Sequence, residues 1–353
     1  MSVSEKDVIT LKEIYCIEDD GVNFFFKYPD PPVIDPDGNV FISDEKQILI
    51  FNKSGIFNKN IYKHGLGPAE LNSPGKIFLF NDYLSVHNIY PGKILLFNRK
   101  TFEFIKQIRI SDKIGYSDYL INYNNKLYFL KEVTPPIKKN RSVFVDRKVK
   151  LISFSLSKNE FIDEKLNFPK KYFISLGEKH SQVKNVNFVQ VCPISESKIL
   201  ISNRGDYKIL MLDLKKRSIS RFIQNPDYQK VKIKESWGEY FHTFKFIEVG
   251  LEGEQRKTWR KQELDSIQKI MFNKNLIHIF TSEFCLKENK IRVDLYNTGG
   301  KFLKTVYMKM PRSVNLIRFN LLPFTIKNDF FYIFNETDDG NIRLYKYRIN
   351  YPE

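Results

Sequence analysis

A short phrase recurs along this chain and constrains its fold more than any other feature. Near the N-terminus, Asp35–Asn39 is a turn signal, Val40–Asp44 an apolar strand, and Ile48–Asn52 a second strand. Short apolar runs between Asp, Asn and Gly turns are typical of antiparallel strands joined by tight hairpins. Copies of this unit follow, so the sequence predicts a repeat protein of small antiparallel sheets.

Six copies align on the residue that closes the third strand of each unit. These anchors are 46, 57, 58, 84 and 51 residues apart, and they are Phe51, Phe97, Phe154, Leu212, Tyr296 and Tyr347. Propeller blades commonly span ~40–50 residues. The long spacing therefore indicates one blade plus an insertion, which we assign to residues 225–262. We predict an all-β fold, a six-bladed β-propeller of four-stranded antiparallel blades.

The whole chain, residues 1–353, is expected to form this single propeller. The predicted blades are 24–64, 72–110, 116–168, 185–224, 266–308 and 315–350. Since the sixth copy ends after its third strand, we expect the strand at 10–18 to complete the last blade and close the ring. The second half of the insertion, Glu252–Ile270, is rich in charged residues and is expected to be helical.

A second phrase carries a family resemblance. It reads Gly65-Leu-Gly67-Pro68-Ala-Glu70-Leu71 and, with the first-blade phrase, resembles bacterial six-bladed propellers of the NHL-repeat-like and TolB-like kind. Where that family has a third Gly and a Phe, this chain has Ala69 and Leu71. Gly65, Gly67, Pro68 and Glu70 are expected to form a tight crossover between blades, with Glu70 accepting hydrogen bonds from neighbouring amides.

The resemblance also implies a location. Members of this group are mostly exported or lipid-anchored and often have no known activity, so it implies an extracytoplasmic protein, periplasmic or on the cell surface. The first residues, Met1–Asp7, lack the apolar core of a signal peptide. A cytoplasmic location therefore stays open at this point.

A ligand site is expected at the channel mouth, on the face that carries the loops of variable length. The second strands end at aligned polar positions: Asp44, Asn88, Lys131, Asn203, Thr281 and Asn335. Beside them lie His87, Arg204, Asp206, Glu283, Glu336 and Asp338. We expect these residues to ring the mouth and bind a ligand. The alternative is that Asp and Asn at these positions close turns.

Further contacts are expected from the long loops of this face. The third-blade loop contributes Lys138, Lys139 and Arg141, and the insertion contributes Trp237, His242 and Trp259. Tryptophan beside basic residues suits stacking on sugars, bases or aromatic side chains. The insertion could also pack over the channel mouth as a lid.

Composition narrows the classes of function. The net charge is +16, but the basic residues are scattered and no nucleic-acid-binding motif accompanies them, which disfavours a nucleic-acid partner. Three widely spaced cysteines argue against a disulfide framework and a structural zinc site. No apolar run approaches the ~20 residues of a membrane helix, so no transmembrane segment is expected.

These observations favour a non-catalytic binding or scaffold propeller, expected to be monomeric, whose loop-rich face engages a protein, peptide or glycan. The alternative is a metal-dependent hydrolase or lyase, lactonase-like, at the channel mouth. The five histidines occupy no blade-equivalent positions and no hydrolase motif is present. No cofactor is firmly implied, and no metal ligands can be named, although Asp, Glu and Asn oxygens could hold Ca²⁺ or another divalent ion.

Overall fold

The computed structural model describes most of the chain. It covers residues 7–352 except 73–74, 89–91, 110–116, 134–142, 145–147, 169–172, 177–182, 185–189, 203–204, 235–242, 251–252, 261–262, 317–318 and 320–321. Strands are numbered below in chain order, beginning with β1 (Val8–Ile17).

Four separate sheets have four antiparallel strands each, in chain order. Blade 1 comprises β2 (Val33–Ile34), β3 (Val40–Asp44), β4 (Gln47–Phe51) and β5 (Phe57–Asn60). Blade 2 comprises β6 (Lys76–Phe80), β7 (Tyr83–Asn88), β8 (Lys93–Asn98) and β9 (Phe104–Arg109). Blade 3 comprises β10 (Ser117–Tyr123), β11 (Lys126–Val133), β13 (Lys148–Ser155) and β14 (Glu160–Phe168). Blade 4 comprises β17 (Gln190–Pro193), β18 (Lys198–Ser202), β19 (Lys208–Asp213) and β20 (Ser218–Gln224).

Two more blades share one eight-stranded sheet through β1. Blade 5 comprises β23 (Ile267–Asn273), β24 (Leu276–Cys285), β25 (Lys290–Asn297) and β26 (Phe302–Lys309). Blade 6 comprises β27 (Phe324–Lys327), β28 (Phe330–Glu336) and β29 (Ile342–Asn350). From Thr10 onward, β1 pairs antiparallel with β29 and so forms the fourth strand of blade 6. The preceding residues, Val8 and Ile9, pair in parallel with β26 of blade 5. The six-bladed propeller closed by its N-terminal strand is thus confirmed.

The remaining strands lie outside the blades. A three-stranded sheet joins β12 (Val143–Phe144), β15 (Phe173–Leu176) and β16 (Val183–Lys184). A hairpin joins β21 (Thr243–Gly250) and β22 (Gly253–Arg260) through eight paired positions. The helix expected over Glu252–Ile270 is therefore wrong, because pairing with β21 places Gly253–Arg260 in a strand and pairing with β24 places Ile267–Ile270 in another, despite their charge.

Hairpins at one end of the blades are closed by a repeated side chain. The residue after the third-strand anchor accepts hydrogen bonds from backbone amides two to four residues later, at Asn52, Asn98, Ser155, Asp213 and Asn297. Asn, Asp and Ser side chains stabilise turns in this way. We call this end the hairpin face. The opposite end, with the second-to-third-strand connections and the crossovers between blades, is the loop-rich face.

The core consists of six apolar clusters among the described residues, one between each pair of adjacent blades. Strand β4 shows how a single strand serves two of them. Ile48 and Ile50 pack toward blade 2, whereas Leu49 and Phe51 pack toward blade 6. Successive side chains point to opposite faces of a sheet, so a strand that is apolar throughout needs a neighbouring blade on both sides.

Lys346 lies at the interface between blades 6 and 1. It is buried, and its ammonium lies 4.9 Å from the ring centroid of Tyr15 and 4.4 Å from that of Phe330. It also donates to the carbonyl of Lys53 at 3.2 Å. Because Tyr15 belongs to β1 and Lys53 follows β4, one cation bridges the closing strand, the last blade and the first.

The loop expected from Gly65, Gly67, Pro68 and Glu70 forms the crossover from blade 1 to blade 2. The Glu70 carboxylate accepts from the Gly67 amide at 2.8 Å, as expected. Gly65 has φ +146°, and a Cβ there would overlap the Glu70 carboxylate. Ala69, where the resembling family has glycine, has φ +62°. Position 65 thus requires glycine, while position 69 strains its alanine.

His278 is a titratable group in the middle of β24. It is fully buried, and its Nε2 lies 2.9 Å from the hydroxyl of Tyr351 near the C-terminus. Burial disfavours the charged imidazolium and lowers the pKa of His278 to about 4. The imidazole is therefore neutral in the folded protein at pH 7.

The loop geometry predicts opposite effects of two substitutions. Gly65→Ala should lower the free energy of unfolding by ~1–3 kcal/mol, because the methyl group displaces Glu70 and the backbone is strained. Ala69→Gly should raise it by ~0.5 kcal/mol, since relief of left-handed strain exceeds the entropy cost of glycine. Denaturant unfolding of both variants measures the difference. Equal effects of the same sign would contradict this account of the loop.

The burial of His278 predicts a loss of stability on acidification. Between pH ~6.5, where an unfolded histidine titrates, and pH ~4, the unfolded chain binds a proton at His278 that the folded chain does not. The free energy of unfolding should therefore fall by up to ~3 kcal/mol through this window. His278→Gln should remove that part of the slope in urea unfolding between pH 7 and 4. A variant that keeps the wild-type slope would refute the assignment.

Candidate functional site

A cleft opens on the loop-rich face between blades 4 and 5. Its volume is about 250 Å³. It is lined by Asp206, Tyr207, Lys208, Gln224, Asn225, Pro226, Tyr228, Lys230 and Ser266. These residues come from the connection into β19 and its first residue, from the last residue of β20 and the segment after it, and from the residue just before β23. Loops of two neighbouring blades thus form one concave surface.

Two tyrosines form the aromatic wall of this cleft. The ring centroids of Tyr207 and Tyr228 lie 5.2 Å apart. The Tyr228 hydroxyl is 3.2 Å from the Ser282 hydroxyl of β24, and the Asn225 amide donates to the Tyr207 carbonyl at 3.0 Å. The crossover that carries Tyr228 is therefore fastened to both blades.

A buried carboxylate anchors one tyrosine of this wall. Asp294 in β25 has no exposed surface. It accepts hydrogen bonds from the Tyr207 hydroxyl at 2.7 Å, the Thr305 hydroxyl at 2.7 Å and Arg292 Nε at 2.9 Å. Burial, reinforced by the Asp294 charge, raises the pKa of Tyr207 far above its usual range, so its hydroxyl stays a donor. This network fixes the position of Tyr207.

Arg292 extends the network toward the rim. Its guanidinium donates to Glu283 Oε2 at 2.9 Å and lies 5.7 Å from the Tyr228 ring centroid. The other Glu283 oxygen accepts from the Tyr307 hydroxyl at 2.9 Å. Both carboxylates of the network are thus engaged by guanidinium and hydroxyl donors. The arrangement holds these side chains in fixed positions.

The rim of the cleft carries paired charges. Lys230 Nζ lies 3.2 Å from Asp206 Oδ1, and both side chains are substantially exposed. Exposed pairs of this kind contribute little to folding, about 0–1 kcal/mol. Lys230 and Asp206 can therefore exchange their mutual contact for a ligand at small cost.

Three of the predicted channel-mouth residues hold loop backbone. Asp44 is buried and accepts from the amides of Lys27 and Tyr28 at 2.8 and 2.7 Å. Thr281 is buried, and its hydroxyl accepts from the Glu283 amide at 3.2 Å. The Asn335 side chain donates to a crossover carbonyl at 2.9 Å. These contacts fit the turn-closing alternative, and a ligand role for these residues stays a prediction.

The other channel-mouth candidates differ in exposure. Asn88 and His87 are buried, Lys131 is half-buried and Glu336 is exposed. Asn203 and Arg204 lie outside the described residues. Within the predicted set, the structure brings Thr281 and Glu283 together, and Glu283 is linked through Arg292 and Asp294 to Tyr207 of the cleft.

The loop contacts predicted from the sequence fall mostly outside the described residues. This applies to Lys138, Lys139, Arg141, Trp237 and His242. The remaining one, Trp259, lies in β22, where it pairs with Phe244 of β21. Their part in binding stays a prediction.

Among the residues that line the cleft, the sequence places Asp206 beside the channel mouth but does not point to the two tyrosines. Tyr207 and Tyr228 lie outside the repeated phrase, so alignment of the copies does not single them out. The position of Asp294, by contrast, is unusual in the sequence itself. This residue stands at a third-strand position that is Leu49, Leu95 and Leu210 in three other blades. A carboxylate at a position sandwiched between blades requires buried donors.

Metal ligands and membrane helices can be assessed only for the described part of the chain. There, no group of three or more His, Cys, Asp and Glu side chains lies close enough together to hold a metal ion. Within the same residues, no helix is both long and apolar enough to cross a membrane.

Comparisons with known proteins support the fold. A model of the DUF5128 family, described as a 6-bladed beta-propeller, matches residues 33–183. No curated protein matches the sequence. A solved structure of a candidate exported protein from Bacteroides fragilis NCTC 9343 is similar, with a TM-score of 0.54 and 14% identity. The similarity covers 99% of this chain and 98% of that one.

Two further solved structures show weaker similarity. A chain of the mitotic checkpoint complex has a TM-score of 0.45 and 9% identity, covering 96% of this chain and 91% of its own. A streptogramin B lyase has a TM-score of 0.44 and 9% identity, covering 95% and 98%. At these identities the likeness concerns the fold alone. The family match spans blades 1 to 3, and the expected resemblance to six-bladed propellers is confirmed.

Proposed function

We propose that this chain is a non-catalytic binding propeller that engages a protein, peptide or glycan through its loop-rich face. The observation that carries the proposal is the cleft between blades 4 and 5, an aromatic and charged concavity whose Tyr207 is fixed by a polar network. Binding residues commonly lie on loops that a rigid scaffold positions. Glu283, expected at the mouth from the sequence, takes part in that network.

The size of the cleft supports an extended ligand. Sites for whole small molecules commonly enclose ~300–1,000 Å³, whereas this cleft has about 250 Å³. It has room for one side chain or one sugar ring. A ligand of this chemistry would place one unit against Tyr228 and continue over the surrounding loops.

The cleft also has the chemistry that such a unit needs. The Tyr228 ring offers a face for stacking, and its hydrogen bond to Ser282 keeps that ring in place. Lys230 and Asp206 at the rim offer a donor and an acceptor. Aromatic faces flanked by polar groups suit both peptide side chains and sugars.

The proposal includes a place of action outside the cytoplasm. It is supported by the resemblance noted from the Gly65–Leu71 phrase and by the name of the Bacteroides fragilis protein of similar fold. Immunoblotting of cytosolic, periplasmic and membrane fractions tests it. Recovery of the protein solely in the cytosol would contradict it. We also propose that the protein acts as a monomer, which sedimentation can test.

Binding can be measured with an immobilised glycan panel and a displayed peptide library. For a ligand selected with the wild-type protein, Tyr228→Ala should weaken affinity about tenfold, because it removes the stacking face. Tyr228→Phe keeps the ring and should retain most of the affinity. The matched control is Tyr28→Ala, which removes an exposed tyrosine ring beside blade 1, outside the cleft. This variant should bind like the wild type.

Three outcomes would count against the proposal. They are no saturable ligand in either collection, an equal loss with Tyr28→Ala, and a stoichiometric divalent ion retained through purification without chelator. The last would favour the alternative, a metal-dependent hydrolase or lyase at the channel mouth.

A further inference from the structure

A second cavity lies on the hairpin face, between blades 3 and 4. Its volume is about 170 Å³. Its polar lining includes Asn124, Lys126, Tyr128, Glu164, Lys215 and Arg217. Blade 3 contributes its first hairpin and β14, and blade 4 contributes the hairpin between β19 and β20. This site is separate in residues and in face from the cleft between blades 4 and 5.

One buried carboxylate organises the cavity. Glu164 is only 5% exposed. Its Oε1 accepts from the Ser153 hydroxyl at 2.6 Å and from Lys126 Nζ at 3.2 Å, and its Oε2 lies 3.2 Å from an Arg217 guanidinium nitrogen. A single negative charge therefore faces two cations and holds both of them at the cavity.

Lys215 adds a third positive charge. It lines the cavity beside Arg217, its side chain is exposed, and within the described part of the chain it has no ion-pair partner. With Lys126 and Arg217 sharing Glu164, the lining carries two positive charges in excess. An anion of charge −2 would balance them, and one of charge −1 would balance half of the excess.

The neutral lining suits an oxyanion carried on a small carbon body. Burial, reinforced by Glu164, raises the pKa of Tyr128 to about 12, so this phenol remains protonated. The apolar part of the lining comes from Leu151, Leu166 and Leu214. A water molecule in the liquid occupies ~30 Å³, so the cavity is large enough for a tetrahedral oxyanion with part of its attached group.

We propose that this cavity binds a phosphate or sulfate ester, with Lys215 and Arg217 contacting the ester oxygens and the leucines contacting the attached carbon group. Glu164 acts as a positioning residue that sets Lys126 and Arg217 without touching the ligand. Arginine, through its guanidinium group, and lysine, through its ammonium group, are the side chains that most often bind such oxyanions. The site works independently of the proposed ligand on the loop-rich face.

Isothermal titration at low ionic strength tests this site with phenyl phosphate, phenyl sulfate and benzoate as probes. Lys215→Ala should weaken ester binding about tenfold, the effect of losing one charge-assisted contact. Lys216→Ala is the matched control. Lys216 is the next residue in the same hairpin and is also exposed, but it does not line the cavity. The affinity of this variant should stay within about twofold of the wild type.

The probes also identify the ester. Whichever of phenyl phosphate and phenyl sulfate binds more tightly names the group that the site takes. Equal losses with Lys215→Ala and Lys216→Ala would show attraction to a basic surface and overturn the proposal. So would the absence of saturable binding, or benzoate binding as tightly as either ester. None of these results bears on the Tyr228 cleft, so the two proposals fail separately.

Discussion

The structure depends on apolar packing between neighbouring blades. Strand β4 illustrates the constraint, since Leu49 and Phe51 face one neighbour while Ile48 and Ile50 face the other. Burying each such side chain contributes ~1.5–3 kcal/mol, and a blade in isolation would leave both of its faces in water. Stability therefore comes from the interfaces, and a blade needs a partner on each side.

Because each blade needs a neighbour on both sides, closure of the ring contributes to the stability of the protein as well as to its shape. Strand β1 supplies the fourth strand of blade 6, and its Ile9 and Ile17 belong to the clusters on either side of that blade. Lys346 adds a contact from blade 6 to Tyr15 of β1 and to the carbonyl of Lys53. The closed ring then holds the loops of both faces in register, which gives the two cavities their shape.

The repeated part of this architecture could be predicted from the sequence, because equivalent residues such as Asn52 and Asn98 accept the same backbone hydrogen bond in their hairpins. The segment over Glu252–Ile270 was mispredicted because helix propensity is local, whereas pairing with β21 and β24 is tertiary. The cavities were harder to predict from the sequence, because they depend on contacts between distant residues. The hydrogen bond from Tyr207 to Asp294, for example, joins residues 87 positions apart. No pattern within one copy reports such a pair, although a carboxylate in an otherwise apolar strand does indicate a buried network.

Hydrogen exchange of the full-length protein tests the closed ring most directly. If β1 is an integral strand, those amides of Leu11–Ile17 that donate to β29 should exchange as slowly as those of Phe330–Glu336 in β28, because both open only when the ring unfolds. Exchange of the β1 amides at the rate of an unstructured peptide, while β28 stays protected, would contradict closure by the N-terminal strand.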